Sequence, residues 1–302
     1  MNNSGVVTVA ANDLEPLGLR YLEVGAHSLE QSVAFYVDLL GFSTMSAPVE
    51  QPDSRVQWVA SGSIQLQIVE VGRDATPGDW RNDDLQRGVR HFGFKVGDID
   101  AWCDRLVAAG VEFLSEPTDV LGDVRIAFFV DPSGTRIELV QGNLSYQRVD
   151  SAREAARDGA VRVAPADPPR FDHVAFTVAD LKRSLAFYCD RLGYELIGSI
   201  RHEDDPRGFL MSYVRAGRAV LEIFSFDTAT SSNPARRGAP VTGVRSIGLG
   251  TVESTAVQGM AGSTGKAPDQ DWEGPVLDPD RVPLSLYVSA KRNEMAAREH
   301  LQ

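Results

Sequence analysis

The sequence predicts an α+β fold built from four βαβββ modules. Three observations predict it. First, Leu29–Phe42 (LEQSVAFYVDLLGF) recurs as Leu181–Tyr194 (LKRSLAFYCDRLGY) at an offset of 152, with eight of fourteen positions identical. Second, the strand-like HFGFKV from His91 recurs as HVAFTV from His173. Third, the remaining quarters are related more distantly. GVRHFGFKV from Gly88 resembles GVRSIGLGT from Gly243, and DPSGTRIELV from Asp131 resembles DPDRVPLSLY from Asp278. Repeats of this length mark duplicated supersecondary units.

Each element follows from local chemistry. The first strand of module one is Leu19–Val24, and that of module three is Asp172–Val178, both alternating. In the helix that follows, apolar Leu29, Val33, Tyr36, Val37 and Leu40 fall on one stripe at helical spacing. Ser28 and Asp180 are candidate N-caps. Gly41 and Gly193 are candidate stops, because a glycine takes the left-handed conformation at low cost. Later strands of module one lie near Ser43–Val49, Arg55–Ala60 and Ser63–Val71. The helix of module two is Ile99–Gly110, amphipathic and ending in glycine; that of module four, near Ser254–Ala261, is short and poor.

The expected organisation is therefore an extension over 1–16 and a first domain over 17–142, with modules 17–72 and 88–142. A linker follows over 143–169, then a second domain over 170–290, with modules 170–226 and 242–290, and a polar tail over 291–302. The linker is charged and alanine-rich, then proline-rich, which reads as a surface helix followed by an extended connection.

Bulk properties exclude some functions. The 302 residues suffice for two ordinary cores, and 43% hydrophobic with 24% charged residues is the composition of a globular protein. A net charge of −12 repels phosphate backbones, so no nucleic-acid partner is expected. No apolar run approaches the length of a membrane span, and the N-terminal stretch does not read as a secretory signal. A cytoplasmic protein is expected, with Cys103 and Cys189 as buried reduced thiols.

The candidate chemistry lies in four side chains. His91 and His173 occupy matching positions of the repeat, and the chain has only five histidines. About fifty residues after each lies a carboxylate within an apolar strand: Glu138 in Arg136–Gln141 (RIELVQ) and Glu222 in Val220–Phe224 (VLEIF). A histidine in an apolar strand is ordinarily a core residue, and a strand glutamate ordinarily faces solvent. Repetition favours ligation instead. Glu222 shares its face with apolar Val220 and Phe224, where an unpartnered carboxylate would be costly and a bound metal would remove the cost. His91, Glu138, His173 and Glu222 together are candidates for one divalent metal site.

The motifs H-x-x-F-x-V, S-x-x-F-Y-x-x-x-L-G-[FY] and D-P-x-G-x-x-I-E-L, set in four βαβββ modules, resemble the vicinal oxygen chelate superfamily. That family includes glyoxalase I, methylmalonyl-CoA epimerase, extradiol dioxygenases and the fosfomycin and bleomycin resistance proteins. The resemblance covers nearly the whole chain. It implies that modules pair into half-open, barrel-like sheets around a metal, each module offering one ligand position in its first strand and one in its last. Those positions are Tyr21 and Gln67, His91 and Glu138, His173 and Glu222, and Ser246 and Ser285. Only pairing of modules two and three collects two His and two Glu, as in single-chain, four-module glyoxalase I proteins. The expectation is one live site there and one dead site between modules one and four. Crossed pairing within one chain, or between the chains of a homodimer, would supply the same ligands.

Imidazole and carboxylate ligands suit Zn, Ni, Co, Fe or Mn. Four protein ligands leave two adjacent positions for a small substrate with vicinal oxygens. Lewis acidity would stabilise an enediolate or enolate, and Glu138 or Glu222 could leave the metal to act as the base. The first functional reading is thus a metal-dependent lyase or isomerase of glyoxalase type. The second is an Fe(II) dioxygenase using His91, His173 and Glu138, with Glu222 as the discriminator. The third is a non-catalytic binding protein of the resistance type. Other polar residues read blandly. His27 is a capping or surface residue, His202 a solvated residue of the loop Arg201–Phe209 with contact to substrate at the pocket rim as the lesser alternative, and His300 part of the tail. The pairs Phe35–Tyr36 and Phe187–Tyr188 read as core.

Overall fold

A computed structural model describes residues 17–62, 64–72, 75, 84–120, 122–232, 240–252 and 272–289. The expected extension, tail, module-four helix and His300 lie outside these residues.

Module one comprises β1 (Gly18–Ala26), α1 (Leu29–Ala34), β2 (Ser43–Thr44), β3 (Val49–Gln51), β4 (Ser54–Ser61) and β5 (Ile64–Glu70). Module two has β6 (Gly88–Lys95), α2 (Ile99–Ala108), β7 (Thr118–Asp119), β8 (Arg125–Val130) and β9 (Arg136–Gln141). The connection carries β10 (Arg148–Val149) and α3 (Ala152–Gly159). Module three has β11 (Arg170–Val178), α4 (Leu181–Leu185), β12 (Glu195–His202), β13 (Phe209–Ala216) and β14 (Ala219–Phe226). Module four has β15 (Gly243–Val252), β16 (Trp272–Leu277) and β17 (Pro283–Ser289).

The expected caps are present. The Ser28 hydroxyl accepts from the Gln31 amide, and the Asp180 carboxylate from the Arg183 amide. Gly41 and Gly193 take φ of 75° and 79°, ending both helices in the left-handed region. In both copies of the repeat the helix widens into a π-turn, over Phe35–Leu39 and Ala186–Arg191. The wider turn lets two consecutive aromatic residues face inward, so Phe35 and Tyr36, like Phe187 and Tyr188, are all buried.

Strands form two curved sheets, in the orders β16-β17-β15-β1-β5-β4-β2 and β10-β12-β13-β14-β11-β6-β9-β8-β7. The first joins modules one and four through antiparallel β1 and β15; the second joins modules two and three through antiparallel β6 and β11. Each sequence half thus gives one module to each sheet, and the crossing occurs within one chain. One hydrophobic core runs through all four modules.

Helices link modules in the other direction. The Tyr36 hydroxyl of module one donates to Asp131 of module two at 2.9 Å, and that of Tyr188 in module three donates to Asp278 of module four at 2.9 Å. Both tyrosines and both carboxylates are buried, and each carboxylate also accepts two backbone amides of its own turn. Burial pushes the Asp278 carboxyl up to about 6. The connection is less superficial than its composition implies. Arg215 of β13 holds Asp158 at 2.6 Å and Glu154 at 3.2 Å, so the acidic face of α3 is buried against module three.

Tyr188→Phe removes one hydrogen bond from a carboxylate that stays buried. It is expected to cost about 1–3 kcal/mol in urea unfolding without altering the far-ultraviolet spectrum. A change within about 0.5 kcal/mol, the range of ordinary surface substitutions, would show that this bond does not tie the halves together.

Candidate metal centre

The centre is built at the β6–β11 seam. In the register of that pair His173 lies opposite Gly93, and Ala175 opposite His91. The parallel neighbours complete it: Glu138 of β9 lies beside Gly93, and Glu222 of β14 beside Ala175. The two histidines and two glutamates therefore come together. One ligand atom from each lies within 4.8 Å of all the others. Glu138 Oε2 is 2.9 Å from His173 Nε2 and 3.2 Å from His91 Nε2, while Glu222 Oε2 is 3.6 Å from both nitrogens.

These distances fit a shared cation. Bonds of about 2.1 Å put neighbouring ligands of an octahedral ion roughly 3 Å apart and opposite ligands roughly 4.2 Å apart. The two Nε2 atoms are buried yet make no well-aligned hydrogen bond, so the four groups converge on a common point rather than on one another. The backbone makes room for this. A Cβ at Gly93 would lie 2.2 Å from His173 Cε1, so the ring needs the glycine across the seam.

Two β-bulges enlarge the site beyond what alternation predicts. The β6–β11 register slips once at Arg90 and once at Asp172. Each slip turns two consecutive side chains, Arg90 with His91 and Asp172 with His173, into one cavity. Asp172 Oδ2 takes His173 Nδ1 at 3.0 Å; Lys95 lies 3.6 Å from Asp172 and donates to Asn143 at 2.9 Å. His91 has no such partner at Nδ1 among the described residues. Asp172 thus fixes the ring of one histidine and favours the tautomer that presents Nε2 to a metal.

The electrostatics of the metal-free centre follow from this packing. Burial alone would raise Glu138, but the two adjacent imidazoles outweigh it and lower its carboxyl from 4.5 to about 2. Burial opposes protonation of His173, yet Glu222, Asp172 and Glu138 together hold its imidazolium well above the usual 6.5. Burial and the neighbouring Glu222 likewise keep the Tyr213 phenol protonated. A proton on His173 is the charge that a metal would replace.

The second seam repeats the backbone without the donors. Tyr21 lies opposite Gly248, and Glu23 faces Ser246 on one side and Gln67 on the other; Gly248 neighbours Ser285. Each pairing matches one in the β6–β11 seam and its neighbours, so Gln67 occupies the position of Glu222. Tyr21 packs edge-on against Trp58 and Tyr287, with ring centroids 5.2 and 6.0 Å away.

Comparison with known proteins sets this geometry in a family. The profile of the glyoxalase/bleomycin resistance protein/dioxygenase superfamily matches residues 18–139 and 170–261. The chain belongs to that superfamily. A lactoylglutathione lyase of Schizosaccharomyces pombe is 29% identical over 228 residues, covering 68% of each chain. A catechol-2,3-dioxygenase of Bacillus subtilis is 25% identical over 207 residues, covering 61% of this chain and 68% of that one. Glyoxalase I from Zea mays superposes with a TM-score of 0.62 over 94% of this chain and 96% of its own; at 18% identity that likeness is one of fold.

Other readings of single residues meet different fates. His27 donates its amide to Ser133 and sets its Nδ1 3.0 Å from the Gly72 carbonyl, a local structural role. Cys103 is a buried free thiol as expected and Cys189 a half-buried one, and desolvation pushes both up to about 11. For His202 the strand replaces the expected loop, and the lesser alternative, a place at the pocket rim, fits the structure better. His202 closes β12, stacks on Phe209 at 4.4 Å and lines the same cavity as the four candidate ligands. The strand simply continues two residues further than the charged sequence after it suggests. Arg90 and Asp172 were concealed by the bulges, whereas Lys95 was visible, four residues after His91 on the same strand face. Among the described residues no helix is long and apolar enough to cross a membrane.

Two outcomes follow. Glu138 stabilises the metal-free fold fully above 4.5, and its help is lost as pH falls through about 2; the raised His173 helps fully below 6.5, and its help is lost as pH rises through its folded value. The metal-free centre is therefore most stabilising between pH 4.5 and 6.5. A divalent metal should raise the melting temperature more at pH 8 than at pH 6, as thermal melts with and without chelator would record; the reverse order would contradict the assignment. Asp172→Asn should weaken metal binding by about 10–100-fold, the usual effect of losing a carboxylate behind a ligand histidine. Competition with a chromophoric chelator measures it, and an unchanged affinity would remove Asp172 from the site.

Proposed function

We propose that the chain is a metal-dependent lyase or isomerase of glyoxalase type, acting on a small substrate with vicinal oxygens. The observation that carries the reading is the convergence of His91, Glu138, His173 and Glu222 from modules two and three, with Glu222 facing the same point as the other three. A bound divalent ion would supply Lewis acidity toward two adjacent oxygens and stabilise the negative charge that develops when a neighbouring C–H bond is broken.

The residues then divide the work. His91 and His173 hold the ion, with Asp172 steadying His173. Glu138 and Glu222 are the bases available to take a proton from one carbon and return it to the next. Glu138 is bracketed by both imidazoles at 2.9 and 3.2 Å, whereas Glu222 stands 3.6 Å from each. The looser carboxylate is the better candidate to move toward substrate. Apolar walls around the site exclude water and strengthen every charge interaction inside it.

A dioxygenase reading draws on one observation. The tighter trio of His91, His173 and Glu138 is a 2-His-1-carboxylate set, an arrangement suited to Fe(II) and oxygen. The relative named catechol-2,3-dioxygenase is consistent with it.

Metal content by mass spectrometry, on untagged chain and on Glu222→Ala, separates the readings. The lyase or isomerase reading expects about one Zn, Ni or Co per chain and a loss of affinity of at least about tenfold in the variant. Iron retained by the variant, with oxygen uptake on a panel of catechols, would favour the dioxygenase. Absence of metal from both proteins after reconstitution would leave a binding protein.

A further inference from the structure

The cavity over the candidate ligands is small and mostly apolar. It encloses about 330 Å³, the lower end for small-molecule sites. Its walls include Phe128, Ile126, Ile200, Phe209, Met211 and Phe224.

Several charges in those walls are engaged with other protein groups. Arg90 pairs with Asp84 at 2.7 Å, donates to Thr177 at 3.0 Å and lies over the Phe224 ring at 4.2 Å. Lys95 is held by Asp172 and Asn143, and Asp158 by Arg215 and the Tyr146 hydroxyl. His202 differs. Its ring is fixed on Phe209 with 14° between the planes, yet its Nε2 is buried without a hydrogen-bond partner. Burial lowers its pKa, against the pull of Asp205, Glu222 and Asp204, so the imidazole is neutral near pH 7 and can donate or accept. An orphaned polar atom in a ligand-sized apolar cavity is what a substrate would satisfy.

We propose that the cavity takes a compact substrate with an apolar, aromatic or branched body beside its vicinal oxygens, and that His202 Nε2 hydrogen-bonds a polar atom of that substrate. A multiply charged peptide-thiol conjugate does not match walls that are mostly apolar and whose Arg90, Lys95 and Asp158 are already engaged with other protein groups. The inference rests on the proposed metal reading and narrows its substrate class.

Calorimetry on the full chain loaded with Zn or Co tests it, with metal per chain counted in the same samples. Benzohydroxamate and acetohydroxamate each present two adjacent oxygens and differ by the phenyl group. The phenyl compound should bind at least about tenfold tighter, as burial of its ring predicts, and S-methylglutathione should not bind detectably. His202→Ala should weaken benzohydroxamate severalfold with metal per chain unchanged, and His202→Gln should recover part of the loss. Equal affinity for the two hydroxamates, or tighter binding of S-methylglutathione, overturns the substrate class while the metal reading stands. Unchanged binding by His202→Ala overturns the role of His202. A chain that takes up no divalent metal overturns the metal reading and this inference with it.

Discussion

The antiparallel seam between β6 and β11 is the constraint on which the rest of the site depends. Its register alone sets Gly93 against His173 and Ala175 against His91. A shift by one residue would turn the histidines to the opposite face, since side chains alternate along a strand. The absence of a Cβ at Gly93 is equally necessary, because the His173 ring fills the space one would occupy. The parallel neighbours β9 and β14 then place Glu138 and Glu222 without further adjustment. Four residues scattered over 132 positions of sequence meet because two strands share one register.

That seam exists only because modules pair out of sequence order. Modules two and three share one sheet, one and four the other, and the helices tie neighbouring modules through Tyr36–Asp131 and Tyr188–Asp278. Sheets and helices therefore bind the four modules in complementary directions. A buried carboxylate left without its tyrosine would be costly, so the helix layer also resists separation of the two sheets. The connection between the halves adds a third tie, where Arg215 draws Glu154 and Asp158 of α3 into the face of module three.

Most of this architecture was legible in the sequence because duplication writes the same instructions twice. The repeated helix with its Ser28 and Asp180 caps and Gly41 and Gly193 stops is found where expected. Alternation correctly put Arg136 and Val140 on the face of Glu138, and Val220 and Phe224 on that of Glu222. Alternation failed where the strand itself departs from it. The bulges at Arg90 and Asp172 turn consecutive residues into the cavity, which a period of two cannot foresee. His202 was misjudged because the charged run after it suggested a loop, while its packing on Phe209 is a contact between strands that no local pattern records.

The second seam separates what the backbone decides from what side chains decide. Its pairings reproduce those of the first position by position, down to Gly248 making room for the Tyr21 ring as Gly93 does for His173. Yet the equivalent residues are Tyr21, Gln67, Ser246 and Ser285, none of them a carboxylate or an imidazole. The carboxylate nearest this set along the strand, Glu23, pairs with Arg245 at 3.2 Å. Neutral oxygens and a tyrosine packed among aromatic rings neither supply the negative charge nor release the protons that would bind a divalent ion tightly. The same frame thus offers a candidate metal centre at one seam and, at the other, the same positions filled by neutral side chains. For this superfamily the consequence is general: fold fixes where ligand positions fall, and chemistry must be argued from the residues that fill them.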